Sequence, residues 1–383
     1  MINLKTYIRY FVIIFSTILA DNTAYAFETS AKQAYLMDFN TRTCLFDKNG
    51  EKRMVPSSMT KVMTAYVVFS NLKENNIDIS DEFLVSENAW RTGGTKMFVN
   101  LNSKVRVEDL LRGVIVQSGN DASKVLAEGI HGEESTFAES MNEHAKQIGM
   151  HRSNFKNASG LPHAEHYSTA KDIAVLAEAT IKDFPEYYNY FSETEFKYNN
   201  IHQYNKNTLL GKKGVDGLKT GHTDAGGFGV VVSAKRDGRR LIAVVNGLNS
   251  EKERIKEADK LLSYGFSNFI NKKLFSANEE VTVVDVWYGK QNDVAAVAAK
   301  DIEVVLPKII GKKNKQTTKV VYNSPIKAPI KKGDIIAQLK IEENNQVLFS
   351  TDLVAKEDVA QANILGRATQ NIRYYWDKYI KSK

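Results

Sequence analysis

Cys44 is the sole cysteine among 383 residues, and that count constrains the fold more than any other feature of the sequence. Without a second thiol the chain can build no internal disulfide, no cysteine-based zinc site and no iron–sulfur cluster, so burial of apolar surface must hold it together. The composition supplies the means: 43% of the residues are hydrophobic, 10% aromatic and 25% charged. This is a globular balance, enough for about two domains, and it excludes disorder or a low-complexity fibre as a reading of the whole chain. Six prolines and 23 glycines are too few for a collagenous or linker-dominated protein. No repeat of roughly 20 to 50 residues suggests a solenoid.

Residues 1–26 are read apart from the fold. Lys5 and Arg9 precede an apolar run at 10–20, and Ala24-Tyr25-Ala26 follows as a small-x-small cleavage site, which is the pattern of a secretory signal peptide. The run is about half of the roughly 20 residues that span a bilayer. Export predicts that Cys44 is buried or unpaired. The formal net charge of +7 falls by one when Lys5 and Arg9 leave with Asp21, and the mildly basic remainder suits an anionic envelope surface without specifying a partner.

In the mature chain the alternation at 34–46, broken by Asn40-Thr41-Arg42, predicts a strand pair. Apolar residues on most sides of 58–70 predict a helix buried in the domain centre. Helical periodicity returns at 107–116, 122–130, 136–148 and 170–181. Strands at 228–234 and 241–245 flank Asp237-Gly238, a hairpin signal, and a helix is expected over 253–269. Short apolar stretches at 281–286, 302–306, 319–322, 335–341 and 347–354 predict a small all-β sandwich or barrel. The lysine-rich run 308–319 reads as a solvated loop. At the C-terminus Ile364, Leu365, Ala368, Ile372, Tyr375, Trp376 and Tyr379 recur every three or four residues with Arg367, Arg373, Lys378, Lys381 and Lys383 mostly between them, so the segment reads as a basic amphipathic helix.

Three short motifs carry the chemistry. Ser58 and Lys61 stand three residues apart at an expected helix start, which places hydroxyl and amine on one face. A lysine whose pKa is lowered in a desolvated pocket can take the serine proton. Ser118-Gly119-Asn120 lies between two expected helices, where its glycine permits a tight turn that presents two polar side chains together. Lys219-Thr220-Gly221 precedes the hairpin strands, so that a lysine and a hydroxyl on a strand edge can hold a carboxylate while the glycine lets backbone approach. Each motif alone is uninformative. In this order, 60 and 101 residues apart, and each on a suitable element, they are not coincidence.

This set resembles that of the low-molecular-mass penicillin-binding proteins, the D-alanyl-D-alanine carboxypeptidases that use Ser-x-x-Lys, Ser-x-Asn and Lys-Thr-Gly. The resemblance covers nearly all of the mature chain, through Pro56-Ser57-Ser58-Met59-Thr60-Lys61, Gln117-Ser118-Gly119-Asn120-Asp121-Ala122, Gly217-Leu218-Lys219-Thr220-Gly221-His222-Thr223, Arg254, Val286-Trp287-Tyr288-Gly289 and Ala328-Pro329-Ile330-Lys331-Lys332-Gly333. It implies an α/β fold: a penicillin-binding/β-lactamase-like transpeptidase domain, with helices around an antiparallel sheet, then a small all-β domain and a C-terminal amphipathic helix. The expected divisions are 1–26, 27–276, 277–360 and 361–383.

The resemblance also implies roles. Ser58 would be acylated, Lys61 would be its base, and Ser118 and Asn120 would relay protons and position the substrate. Lys219, Thr220 and Arg254 would clamp the terminal carboxylate beside Gly221, and the backbone N–H groups of Ser58 and His222 would form the oxyanion hole, with His222 assisting deacylation. No metal or cofactor is implied. The expected partners are peptidoglycan stem peptides, β-lactams as covalent inhibitors, and the inner-membrane surface through the last helix, with no nucleic acid; the expected location is the periplasm, peripherally on the outer face of that membrane. The competing readings are a D,D-endopeptidase, a serine β-lactamase and a non-catalytic peptidoglycan-binding scaffold. No Glu-x-x-Leu-Asn segment between Ser118 and Lys219 supports the class A β-lactamase. His163 and His166, which have no acidic partner at metal-ligand spacing, read as surface residues of a loop at 161–167 that borders the cleft. Gly93-Gly94 reads as a freely moving cleft-bordering segment, and Arg152 and Lys171 carry no assigned chemistry.

Overall fold

The computed structural model describes residues 27–308, 316–343 and 346–379. The expected signal peptide, most of the lysine-rich loop and the last residues of the expected C-terminal helix lie outside them. Contacts divide the chain into one unit of 26–268 and a second that begins at Phe269.

The first unit opens with β1 (Gln33–Asp38) and β2 (Cys44–Lys48), the expected strand pair. A 3₁₀ turn, Ser57–Thr60, then leads into α1 (Lys61–Lys73). The expected single helix therefore begins as a tighter turn: Met59 N–H bonds to Pro56 O at 3.1 Å, and Ser57 takes φ +50°. Every residue of α1 from Lys61 to Phe69 is buried, so its apolar character on all sides is matched by packing on all sides. Phe69 alone meets the rings of Phe184, Tyr187 and Phe191.

Between α1 and the later strands lie β3 (Glu82–Leu84), α2 (Glu87–Arg91), β4 (Lys104–Arg106), α3 (Val107–Arg112), α4 (Asn120–His131), α5 (Glu134–Ile148), α6 (Ala170–Asp183) and a small hairpin of β5 (Glu195–Tyr198) and β6 (Ile201–Tyr204). The helix expected over 107–116 changes pitch partway: α3 stops at Arg112 and continues as a π turn, Gly113–Gln117. A Cβ on Gly113 would run into the Met97 side chain, so the missing side chain is what lets the 93–99 loop lie against this turn.

The strands β7 (Val215–Thr223), β8 (Gly227–Arg236) and β9 (Arg239–Leu248) complete an antiparallel sheet of order β2-β1-β9-β8-β7, and α7 (Glu251–Asn268) closes the unit. Asp237 and Gly238 both take positive φ in the tight β8–β9 turn, as the Asp-Gly pair predicts. Strand β7 is left at the sheet edge.

The second unit contains β10 (Phe269–Phe275), β11 (Glu280–Trp287), β12 (Asp293–Ala298), β13 (Ile302–Pro307), β14 (Gln316–Val321), β15 (Ile326–Lys327), β16 (Ile335–Glu343), β17 (Gln346–Ala355) and α8 (Ile364–Tyr379). Strand β10 pairs with β13, so the β unit begins ahead of the boundary expected at 277. Strands β14-β16-β17-β12-β11-β15 form the larger sheet. Helix α8 is held by polar side chains: Tyr288 N–H donates to Gln370 Oε1 at 2.6 Å, Tyr288 O–H to Asn371 Oδ1 at 2.9 Å, and Gln370 Nε2 to Gly289 O at 3.0 Å. Ile364, Leu365 and Ile372 remain 76%, 77% and 68% exposed. Among the described residues no helix is long and apolar enough to cross a membrane.

One loop of the first unit sets the position of the 3₁₀ turn. Its base is closed by the Asn154 and Tyr167 backbones, with N–H to O distances of 2.8 and 3.0 Å, and it presses Gly160, at φ +78°, against Ser57 and Thr60. A Cβ there would collide with the Ser57 carbonyl. Gly160→Ala is therefore expected to cost at least about 1–2 kcal/mol from the left-handed backbone alone, with the collision added. A chemical-denaturation midpoint equal to that of the unsubstituted protein would contradict this.

Candidate active site

The start of α1 buries a primary amine. Lys61 is 0% exposed, and its Nζ lies 2.7 Å from Asn120 Oδ1, 2.6 Å from Ser159 O and 3.1 Å from Ser58 Oγ. The two carbonyl oxygens only accept, so they take two N–H bonds. The hydroxyl can either accept or donate. Burial pushes the amine pKa down to about 7, Lys206 adds like-charge repulsion, and Asp121 and Glu134 oppose the shift. Near neutral pH a large fraction of Lys61 is thus uncharged, with a lone pair available to the Ser58 O–H.

Asn120 opens α4, and its amide is fixed from both ends: Nδ2 donates to Gly93 O at 2.8 Å while Oδ1 accepts from Lys61. Its backbone N–H reaches Thr95 O at 2.8 Å. The next residue, Asp121, accepts from the backbone N–H groups of Met97, Phe98 and Val99 at 2.8, 2.9 and 3.3 Å. A carboxylate at a helix N-terminus that gathers successive amides holds the 93–99 loop in place. From the other side Gln203 Nε2 donates to Met97 O at 2.9 Å and Lys206 Nζ to Thr95 Oγ1 at 3.2 Å. The segment expected to move freely is tied down by its neighbours.

Strand β7 brings the third motif to the sheet edge. Gly221 packs so closely on the Ser57–Thr60 turn that a Cβ would lie 2.8 Å from Pro56 O and 3.2 Å from Ser57 Cβ, and the Ser57 and Thr223 hydroxyls bond at 2.9 Å. Lys219 is 2% exposed, and its amine makes a long contact of 3.4 Å to Thr220 O. Burial, and after it repulsion from Lys61, Lys206 and Arg254, pushes its pKa well below the ordinary lysine value. Among the described residues no carboxylate forms an ion pair with Lys219. Arg254, buried on α7, contacts Lys206 O at 3.5 Å and exposed Glu251 at 3.6 Å, and its guanidinium stands 5.8 Å from the Phe228 ring. His222 stacks on that same ring at 3.8 Å.

The structure thus gathers Ser58, Lys61 and Asn120 into direct contact and sets Lys219, Thr220, Gly221 and His222 along the neighbouring strand. Ser118 ends the π turn at φ +69°. Ser118 and Thr220 are buried, and among the described residues their hydroxyls have no hydrogen-bond partner. Cys44 is exposed and unpaired. Arg152 and Lys171 both pair with Glu51.

One expectation is corrected. His163 is exposed, but His166 is only 4% exposed, and its Nε2 lies 2.9 Å from Thr60 Oγ1. The loop folds inward because this side chain finds a partner beneath it. Asp121, Ser159, His166 and Lys206 were not assigned roles from sequence. Asp121 has a signal, being acidic at a helix start, whereas Ser159 acts through a backbone carbonyl that no side-chain pattern reveals.

Comparison with known proteins agrees with the geometry. The family model described as D-alanyl-D-alanine carboxypeptidase matches residues 20–250, and that described as penicillin-binding protein 5, C-terminal domain, matches residues 269–361. The D-alanyl-D-alanine carboxypeptidase DacA of Haemophilus influenzae is 38% identical over 347 residues, covering 89% of this chain and 88% of the relative. The crystal structure of penicillin-binding protein 5 from Haemophilus influenzae superposes with a TM-score of 0.81 at 37% identity, over 88% of this chain and all of that one. Penicillin-binding protein D2 of Listeria monocytogenes, solved in its cefotaxime-bound form, gives a TM-score of 0.59 at 29% identity over 63% of this chain and 100% of that one. Likeness that runs through both units and most of either sequence is common descent, and the chain belongs to the D-alanyl-D-alanine carboxypeptidase family of serine peptidases.

Proposed function

We propose that this carboxypeptidase works through an acyl-enzyme on Ser58, with Lys61 as the base. The observation that carries the reading is the coordination of Lys61: two of its hydrogen-bond positions end on carbonyl oxygens, and the third faces the Ser58 hydroxyl. As Ser58 Oγ attacks the carbonyl carbon of the penultimate D-alanine, its proton passes to Lys61 Nζ. The C–N bond then breaks, and the leaving D-alanine amine takes a proton through the Ser118 hydroxyl. Water hydrolyses the ester, with His222 beside it. The N–H groups of Ser58 and His222 face the developing oxyanion, where a well-placed donor is commonly worth about 3–4 kcal/mol. Lys219, Thr220 and Arg254 hold the terminal carboxylate, and the lack of a carboxylate partner for Lys219 among the described residues supports this. The substrate is the pentapeptide stem of peptidoglycan. A β-lactam would acylate the same serine, a reading supported by the cefotaxime-bound Listeria relative.

We further propose that the protein is exported by the signal peptide at 1–26 and rests on the outer face of the inner membrane through the C-terminal segment 361–383, which contains α8. The exposed Ile364, Leu365 and Ile372 support this, as do the cations of the same segment in the sequence.

Three outcomes are expected. Ser58→Ala loses penicillin labelling, and D-alanine release falls by about 10⁴-fold or more; an adduct mapped by mass spectrometry to another serine of the unsubstituted protein would refute the assignment. Because the reactive form of Lys61 is the neutral amine and its pKa is about 7, acylation by a β-lactam rises with pH. The slope is about tenfold per unit below pH 7 and levels above it. A flat profile between about pH 5 and 8 would show that Lys61 is not the base. Finally, truncation after Ala362 yields a penicillin-reactive protein that no longer pellets with anionic vesicles. Undiminished pelleting would remove the membrane role from the helix.

A further inference from the structure

The turn that carries Ser58 is held from behind by a side chain outside the three motifs. Lys156 N–H donates to His166 Nδ1 at 3.2 Å, so the neutral ring carries its proton on Nε2 and donates it to Thr60 Oγ1, 2.9 Å away. Burial is the main cause that pushes the imidazole pKa down to about 4, with His163 and Lys61 adding repulsion, so the ring is neutral at ordinary pH. Phe155 meets the ring edge to face, with centroids 5.6 Å apart, and His166 N–H bonds to His163 O at 3.0 Å. The imidazole therefore has both nitrogens satisfied and one face packed, and has little room to turn.

The same loop supplies the Ser159 carbonyl that accepts from Lys61, and its Gly160 lies directly on Ser57 and Thr60. Thr60 is fully buried between the nucleophile and its base in sequence. A bond from this loop to Thr60 thus ties together the backbone that carries Ser58 and the carbonyl that aims Lys61. We infer that His166 is a positioning residue for the reaction: by donating to Thr60 it locks the Ser57–Thr60 turn onto the loop that orients Lys61, and so sets the separation of Ser58 Oγ and Lys61 Nζ. This rests on the reading of Ser58 as nucleophile and Lys61 as base. It adds a group that touches neither substrate nor reacting atoms.

The test uses the full-length protein and the variants His166→Ala, His166→Gln, Thr60→Val and the double variant H166A with T60V. The readouts are the rate and site of acylation by labelled penicillin, kcat and KM on a peptide ending in D-Ala-D-Ala, and the melting temperature. Both H166A and T60V are expected to slow acylation and lower kcat by about 10- to 100-fold, the scale set by misplacing a reacting group by under an ångström or so. KM should stay within about twofold. The double variant should be no slower than the worse single one, because both remove one interaction. A glutamine amide can donate to Thr60 and accept from Lys156, so H166Q should recover to within about threefold of the parent. If H166A does not fold, T60V and H166Q carry the test. Labelling on Ser58 at the parental rate in H166A or T60V, additive losses in the double variant, or H166Q as slow as H166A would each overturn the inference while leaving the nucleophile standing. Labelling on a different serine would overturn the Ser58 reading and this inference with it.

Discussion

A primary amine taken wholly out of water must be surrounded by acceptors or give up its charge, and the arrangement around Lys61 follows from that requirement. Its two obligate acceptors come from α4 and from the 154–167 loop, separate segments that this nitrogen bridges. Each is fixed in turn: Asn120 by the Gly93 carbonyl, and the loop by its closed base and by Gly160 against the turn. The π turn and the left-handed Ser118 bring α4 in at the necessary place. The buried helix α1, packed on every side, gives Lys61 a backbone that cannot shift to relieve the burial.

Local pattern explains what could be read in advance. Ser58, Lys61, Asn120 and Lys219 are legible because each sits in a motif of three or four residues, and β8 and β9 are legible because Asp237-Gly238 dictates their turn. Helix α1 announces itself by apolar residues all round. Strand β12 is not legible, because the alanines of Asp293–Ala298 carry weak strand preference and no alternation. Strand β10 is hidden for another reason, since Phe269–Phe275 directly continues a helix and only its pairing with β13 reveals its allegiance. His166 could not be read at all: its partner lies 106 residues away, and nothing in its neighbourhood distinguishes an inward ring from an outward one.

Helix α8 illustrates a different limit of pattern. Its periodicity predicts an apolar stripe and a polar one, and in a soluble helix the apolar stripe would turn toward the domain. Here Gln370 and Asn371 face Tyr288 and Gly289, while Ile364, Leu365 and Ile372 face outward. Polar docking with apolar exposure reverses the usual arrangement, and hydropathy alone does not say which stripe a neighbour will take.

The basic groups around Lys219 have a thermodynamic consequence. Lys219 lies buried, with the basic groups of Lys206 and Arg254 near it and no carboxylate of its own among the described residues, so holding its charge there carries a cost of desolvation and repulsion that the rest of the fold must offset. A ligand bearing a carboxylate removes part of that cost on arrival. Binding and folding are then linked through one charge, and the occupied protein should resist unfolding more than its added hydrogen bonds alone would suggest. The basic cluster is a spring held compressed by the architecture around it, and an anion bound there would release it.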